Sequence, residues 1–132
     1  MRNNGIIKSA NLHLTGICNY NCEHCFARNL SRKHITPAEW EPIIDYLAKI
    51  GVTKINFAGG EPVLYPQLKE LASMVKSKGF TTSIVSNGSL MDEKWFKEMD
   101  GLLDWVGLSV DSPSEEDEIV IGRHCRGIRH LE

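Results

Sequence analysis

Four short β-prone runs, separated by amphipathic helical patterns and each followed by a polar or glycine-rich segment, constrain the fold of this chain most. The first, Ser9 to Thr15, sets Ala10, Leu12 and Leu14 on one side and Asn11 and His13 on the other. Lys54 to Ala58 is the second, the β-branched Thr81 to Ser86 the third, and Trp105 to Val110 the fourth. Thr36-Pro37-Ala38-Glu39 reads as an N-cap, a proline at the first helical position and a capping-box acid. Trp40, Ile43, Ile44, Leu47 and Ile50 then recur at helical spacing as the face to be buried, and Gly51 ends that helix. A second helix is predicted over Gln67 to Lys78, with Leu68, Leu71, Ala72 and Val75 inward and Gly79 as its stop. Asp92 caps a third, running to about Met99, whose apolar side holds Trp95, Phe96 and Met99. The order βαβαβαβ with short connections predicts right-handed crossovers and a parallel sheet.

In a parallel sheet the segments that follow the strands share one edge, where such folds place their sites. Here they are a cysteine loop, Gly59-Gly60-Glu61-Pro62, Ser86-Asn87-Gly88-Ser89 and Asp111-Ser112-Pro113. The cysteine loop reads Cys18-Asn19-Tyr20-Asn21-Cys22-Glu23-His24-Cys25, short enough to wrap one small metal centre unaided. Its three thiols are one short of the four ligands that a closed zinc or iron–sulfur site takes, which suggests a centre with an open position. Spacing alone also allows a zinc site completed by His24 or Cys125, or buried inert thiols. Cys125 has no metal-binding pattern around it and reads as incidental.

Composition narrows the class. The 132 residues, 42% hydrophobic and 24% charged, suit one globular domain spanning 1–132 with a real core. A formal net charge of -2 offers no electrostatic case for nucleic-acid or membrane partners. No apolar run is long enough for a membrane span, and the N-terminus does not read as a signal peptide. Clustered cysteines in the reducing cytoplasm that this implies favour metal over disulfides. The final Leu131-Glu132 would fit the start of a cloning scar, and the natural chain would then be longer.

Gly59 and Gly60 let a backbone approach a ligand closely, since no Cβ intervenes. Asn11, Asn87 and Ser89 are neutral donors and acceptors aimed at the same mouth, suited to a ribose or base, and His13 faces the same way as Asn11. The Asn87-Gly88 pair is equally explained by a turn needing positive φ. Arg28, Arg32 and Lys33 follow the cysteines and either meet anionic groups or are simply solvated. The basic tail with His124, Arg126, Arg129 and His130 follows the acidic run Ser114 to Glu118, and a chain end of this kind usually frays.

The cysteine loop with Phe26 resembles the cluster loop of radical S-adenosylmethionine (radical SAM) enzymes, and GGEP is similar to the motif that this superfamily uses at the amino-acid end of its cosubstrate. HLTGICNYNCEHCF, KINFAGGEP, SIVSNGSLMDEKWF, SVDS and EEDEIVIGR resemble stretches of its viperin branch, prokaryotic relatives included, over about residues 9 to 123. The resemblance implies an α/β fold, a partial TIM-like (β/α) barrel of about four parallel strands with helices on the outer face. Complete members carry further barrel units, so this chain corresponds to the N-terminal half, ending as its fourth helix should begin. An open half-barrel would bare the edge of its fourth strand, so self-association or a second polypeptide completing the barrel is expected.

The resemblance further implies a [4Fe-4S] cluster on Cys18, Cys22 and Cys25, its fourth iron left for the amine and carboxylate of S-adenosyl-L-methionine. Gly59 and Gly60 would meet the ammonium, Glu61 would support the cluster side, and Ser109 and Asp111 would lie at the ribose or carboxylate. His24 and Phe26 would lie near the cosubstrate, His24 standing where the family usually has an aromatic or large apolar residue beside the adenine. Asn11 matches a nucleotide-contacting asparagine, as Asn87 and Ser89 match nucleotide contacts, and His13 is placed with them; no catalytic residue is assigned. The implied activity is the antiviral dehydration of CTP, or a related nucleotide, to its 3′-deoxy-3′,4′-didehydro form, with electrons from a reductase, flavodoxin or ferredoxin. The alternatives are a catalytically incomplete iron–sulfur-binding fragment or subunit that needs a partner, and a zinc-binding structural protein.

Overall fold

The computed structural model describes residues 7–123. The basic tail and Cys125, as well as the side chain of Arg28, lie outside the described residues. The strands are β1 (Ser9–His13), β2 (Lys54–Ala58), β3 (Thr81–Ser86) and β4 (Trp105–Leu108). They form a four-stranded sheet in the order β1-β2-β3-β4, with every neighbouring pair parallel. The helices α1 (Pro37–Lys49), α2 (Leu68–Ser77) and α3 (Glu93–Glu98) fall between successive strands, and α4 (Glu115–Val120) follows β4. This is a partial β/α barrel.

Helix starts follow the local chemistry. Thr36 accepts from the Glu39 amide while the Glu39 carboxylate accepts from the Thr36 amide, closing the capping box at the start of α1. Asp92 accepts from the Trp95 amide and starts α3. The resemblance implies a fourth helix that begins only as the chain ends; instead Ser114 caps α4 well before that point, accepting from the Asp117 amide. Acidic residues at Glu115, Glu116, Asp117 and Glu118 suit the positive end of that short helix.

One face of the sheet carries the core. Leu12, Phe57 and Ile84 stand in one register row and are buried with Ile44, Leu68, Leu71 and Val75 from the helices. Three residues expected inside are exposed instead: Ile43, Ile50 and Phe96. The described part of α1 buries Ile44 and half-buries Trp40 and Leu47, a narrower stripe than the sequence pattern suggests. Likewise α3 turns Trp95 and Met99 to the core and leaves Phe96 edge-to-face on Trp95.

On the other face, Asn11, Asn56, Ser83 and Trp105 share the next row. Trp105 is 67% exposed, and Val106 and Leu108 on the opposite side of β4 are exposed too. No described strand covers the outer edge of β4.

Candidate functional site at the carboxyl edge of the sheet

The chain leaving β1 does not detach at once. Leu14 donates to the Ala58 carbonyl at 2.9 Å, Gly60 donates to Thr15 at 2.6 Å, and Glu61 donates to Ile17 at 2.8 Å. The GGEP turn is thereby stitched along the start of the cysteine loop. A Cβ on Gly59, whose φ is +137°, would lie 2.5 Å from the Thr15 carbonyl oxygen, and one on Gly60 would collide with the Ile17 carbonyl. Two glycines are therefore required by backbone contact within the protein itself.

Cys18, Cys22 and Cys25 are free thiols, each half-buried, and all three line one cleft of about 630 Å³ together with Gly16, Gly60 and Arg32. Among the described residues no three His, Cys, Asp or Glu side chains are drawn together at metal-binding distance. Burial pushes the Cys18 thiol above its ordinary value, against the Tyr20 amide that donates to its sulfur at 3.4 Å, and Glu61 adds to the rise. Burial also raises Cys22, with the Arg123 charge opposing. The donor set fits an iron–sulfur cluster. Three unpaired thiols open to one roomy cleft, with Gly16 and Gly60 on its wall.

Glu61 is 1% exposed and accepts from three donors. One carboxylate oxygen accepts from the Val63 amide at 3.0 Å and the Ser86 hydroxyl at 2.8 Å, the other from the Asn87 amide at 2.9 Å. It ties the GGEP turn to the loop after β3. That loop in turn grips the cysteine loop: Asn87 donates to Asn19 at 2.9 Å, Asn19 donates to Ser89 at 2.8 Å, and the Ser89 hydroxyl donates to Asn87 at 2.6 Å. Asn87 and Ser89 are thus joined to the cysteine loop, while Asn11 and His13 sit on the helix-free face of β1 and are exposed. His13 packs edge-to-face on Phe26 at 5.7 Å, and Phe26 is 74% exposed.

At the end of β4 the sequence reading missed Arg123. It is buried, pairs with Asp111 and with Glu118 at 3.2 Å, and donates to the Ser109 carbonyl at 2.6 Å. Asp111 also stands 3.6 Å from His24. The segment after α4 then docks on the cysteine loop, with Asn21 donating to Gly122 at 3.2 Å and Glu23 donating to Ile121 at 3.1 Å. The signal was present in EEDEIVIGR, where an arginine follows a helix-ending glycine and an acidic turn, but it reads as local charge until Asp111 is brought beside it.

The residues brought together by the fold thus fall into a rim of three cysteines, two glycines, Glu61, Asn87, Ser89 and Asp111. The chain belongs to the radical SAM superfamily, whose family model matches residues 12–132. Within that superfamily its relatives are viperin-like. It is 53% identical over 125 residues to an S-adenosylmethionine-dependent nucleotide dehydratase of Thermoplasmatales archaeon (strain ISO4-H5), covering 95% of this chain and 45% of that protein. It is 37% identical over 129 residues to the S-adenosylmethionine-dependent nucleotide dehydratase RSAD2 of Danio rerio, covering 94% of this chain and 36% of the relative. The chain therefore spans less than half the length of these relatives. Among solved structures, Streptococcus suis SuiB bound to S-adenosylmethionine matches 88% of this chain and 28% of its own, with a TM-score of 0.76 at 19% identity. BtrN in complex with AdoMet and 2-DOIA matches 88% of this chain and 51% of its own, with a TM-score of 0.70 at 18% identity. Those two likenesses establish the fold. No described helix is long and apolar enough to cross a membrane.

Proposed function

We propose that this chain is the N-terminal half of a radical SAM core and serves S-adenosylmethionine-dependent dehydration of a nucleotide, CTP or a close relative, as in viperin-like antiviral enzymes of the reducing cytoplasm. The observation that carries this reading is the placement of Cys18, Cys22 and Cys25 on one cleft beside Gly60, with Glu61 and Asn87 locking its wall. A [4Fe-4S] cluster held by Cys18, Cys22 and Cys25, with S-adenosyl-L-methionine beside it, would supply reductive cleavage of that cosubstrate, with an electron from a reductase, flavodoxin or ferredoxin.

The chain's own part is binding and orientation. Cys18, Cys22 and Cys25 hold the cluster; Gly59 and Gly60 bring backbone within reach of the cosubstrate's ammonium. Ser109 and Asp111 lie toward its ribose or carboxylate, with Arg123 fixing Asp111 in place. His24 and Phe26 lie on the adenine side. Asn11 and His13 offer a substrate nucleotide neutral contacts from the helix-free face, and Asn87 and Ser89 complete the mouth. No general acid or base is assigned.

Anaerobic reconstitution followed by dithionite tests the reading. The expected result is iron and sulfide at about four each per chain, and 5′-deoxyadenosine whose yield rises with CTP. Zinc without iron after anaerobic expression would overturn it in favour of a structural metal site.

One observation favours a second reading for the chain alone, a cluster-binding subunit that needs a partner. Among the described residues no strand covers the outer edge of β4, and Trp105, Val106, Leu108 and Val110 are exposed around it. On that reading a full cluster forms but 5′-deoxyadenosine does not, until a second polypeptide or a second copy completes the barrel.

A further inference from the structure

The cysteine loop and the loop after β3 are joined by a closed ring of side-chain bonds, and the ring has a fixed sense. The Ser89 amide donates to Asn87 Oδ1 at 3.0 Å, and a backbone N–H can only donate. Asn87 Oδ1 is therefore the end turned toward Ser89, where it also accepts from the Ser89 hydroxyl at 2.6 Å. The Nδ2 end is turned the other way, onto the cysteine loop. There it donates to Asn19 Oδ1 at 2.9 Å, and Asn19 Nδ2 donates in turn to the Ser89 hydroxyl at 2.8 Å. Asn19 is 6% exposed, so the ring closes in a place withdrawn from water.

An amide nitrogen carries two protons, and Asn19 takes one of them. The same Nδ2 lies 4.0 Å from the Cys18 sulfur, within reach of an N–H···S contact. Cys18 already receives the Tyr20 amide at 3.4 Å. Among the described residues, no side-chain donor reaches the sulfur of Cys22 or Cys25. The Asn87 main chain is held as well, its amide donating to the buried Glu61 at 2.9 Å. Both ends of the Asn87 side chain are thus engaged within the protein, and one of them faces a thiol. A hydrogen bond to a ligating sulfur draws electron density from it, which favours the more negative, reduced state of an iron–sulfur cluster.

We propose that Asn87 is a positioning residue that gives the Cys18 sulfur a second hydrogen bond and thereby raises the reduction potential of the cluster held there, easing its reduction by the electron donor. The proposal rests on the cluster-binding reading above. It adds an asymmetry to that reading, because the loop after β3 acts on one of the three cysteines and not on the other two.

The test follows the reduction midpoint of the anaerobically reconstituted chain by EPR-monitored titration, beside the iron content and unfolding midpoint of each variant. Asn87→Leu removes the donor without adding charge. It is expected to disfavour reduction about fivefold, a fall of roughly 40 mV for a one-electron couple. Asn19→Leu breaks the ring but leaves the Ser89 amide to aim Asn87 at Cys18, and is expected to move the equilibrium less than about twofold. A shift in Asn19→Leu as large as that in Asn87→Leu would assign the effect to loop geometry and overturn the proposal. An unchanged midpoint in cluster-loaded Asn87→Leu would overturn it as well, and either outcome leaves the cluster reading intact. A wild-type chain that takes up no iron overturns both. Where a variant takes up no cluster, side-chain amide exchange measured by NMR on the wild-type chain decides. The Asn87 amide proton not shared with Asn19 should be slowed once the cluster is loaded. Exchange at the rate of an exposed amide would overturn the proposal.

Discussion

On the helix-bearing face of the sheet, Leu12, Phe57 and Ile84 meet the helices and are almost wholly withdrawn from water. On the opposite face the neighbouring row offers Asn11, Asn56 and Ser83, bonded to one another, and then Trp105, mostly exposed. The two faces use the same strands, and only the side-chain period separates them. The contrast teaches that apolar burial and side-chain hydrogen bonding are divided by face in this molecule. One side is filled to exclude water, and the other has its polar groups satisfied sideways, from strand to strand.

That division is broken most severely from the packed side. Phe57→Ala removes a fully buried ring from the centre of the core, and a cost of about 3–5 kcal/mol is expected. Chemical denaturation reads it. A loss below about 1 kcal/mol would mean that this face is not the principal core. The next largest effect belongs to the rim that joins the two faces. Glu61→Gln puts an amide nitrogen where the Asn87 or Val63 amide now donates, leaving a buried donor facing a donor at a cost of about 2 kcal/mol. Thermal unfolding should show the loss, and amide exchange should show the Asn87–Ser89 loop released first. Intact protection of that loop would deny Glu61 its role as the tie.

The packed side was legible in the sequence because burial leaves a period. Ala10, Leu12 and Leu14 alternate with Asn11 and His13, the capping box is written in Thr36 and Glu39, and Gly79 marks a stop that the structure keeps at φ +87°. The clustering of the cysteines and GGEP followed from topology, since parallel strands deliver their trailing loops to one edge. Less was legible where meaning depends on a partner far along the chain. Glu61 does not reveal that Ser86 and Asn87 will donate to it, and Asp111 does not reveal that Arg123 will claim it. Asn56 did carry a signal, being the one polar residue between Ile55 and Phe57. A period-2 count places it beside Asn11, but the bond between them needs the register, which no local pattern supplies.

A smaller effect sharpens the account of how the sheet is closed on its helix side. Asp104, just before β4, receives Lys76 at 2.6 Å and the Thr82 amide at 2.8 Å, and these hold its carboxyl below the ordinary range. A carboxylate with a lowered folded value adds stability above its unfolded pKa and loses it as pH falls through the folded one. Asp104→Asn should therefore cost about 1 kcal/mol at neutral pH, with a shallower acid limb in a stability–pH series. An acid limb identical to wild type would remove Asp104 from the explanation.

The smallest expected effect tests whether the helix-free face is truly outside the core. Trp105 continues the row of Asn11, Asn56 and Ser83 but is 67% exposed. If the packed and polar faces are divided as described, Trp105→Ser changes the unfolding free energy of the isolated chain by no more than about 0.5 kcal/mol, because little apolar area leaves or enters water. The same substitution should matter if the bare β4 edge is covered by another polypeptide or another copy. An aromatic ring near the centre of an interface is among the residues whose loss costs most. Light scattering across a concentration series, run beside the denaturation curve, separates the two. A stability loss above 2 kcal/mol in a strictly monomeric chain would show Trp105 packed as core, and the division by face would fail at β4.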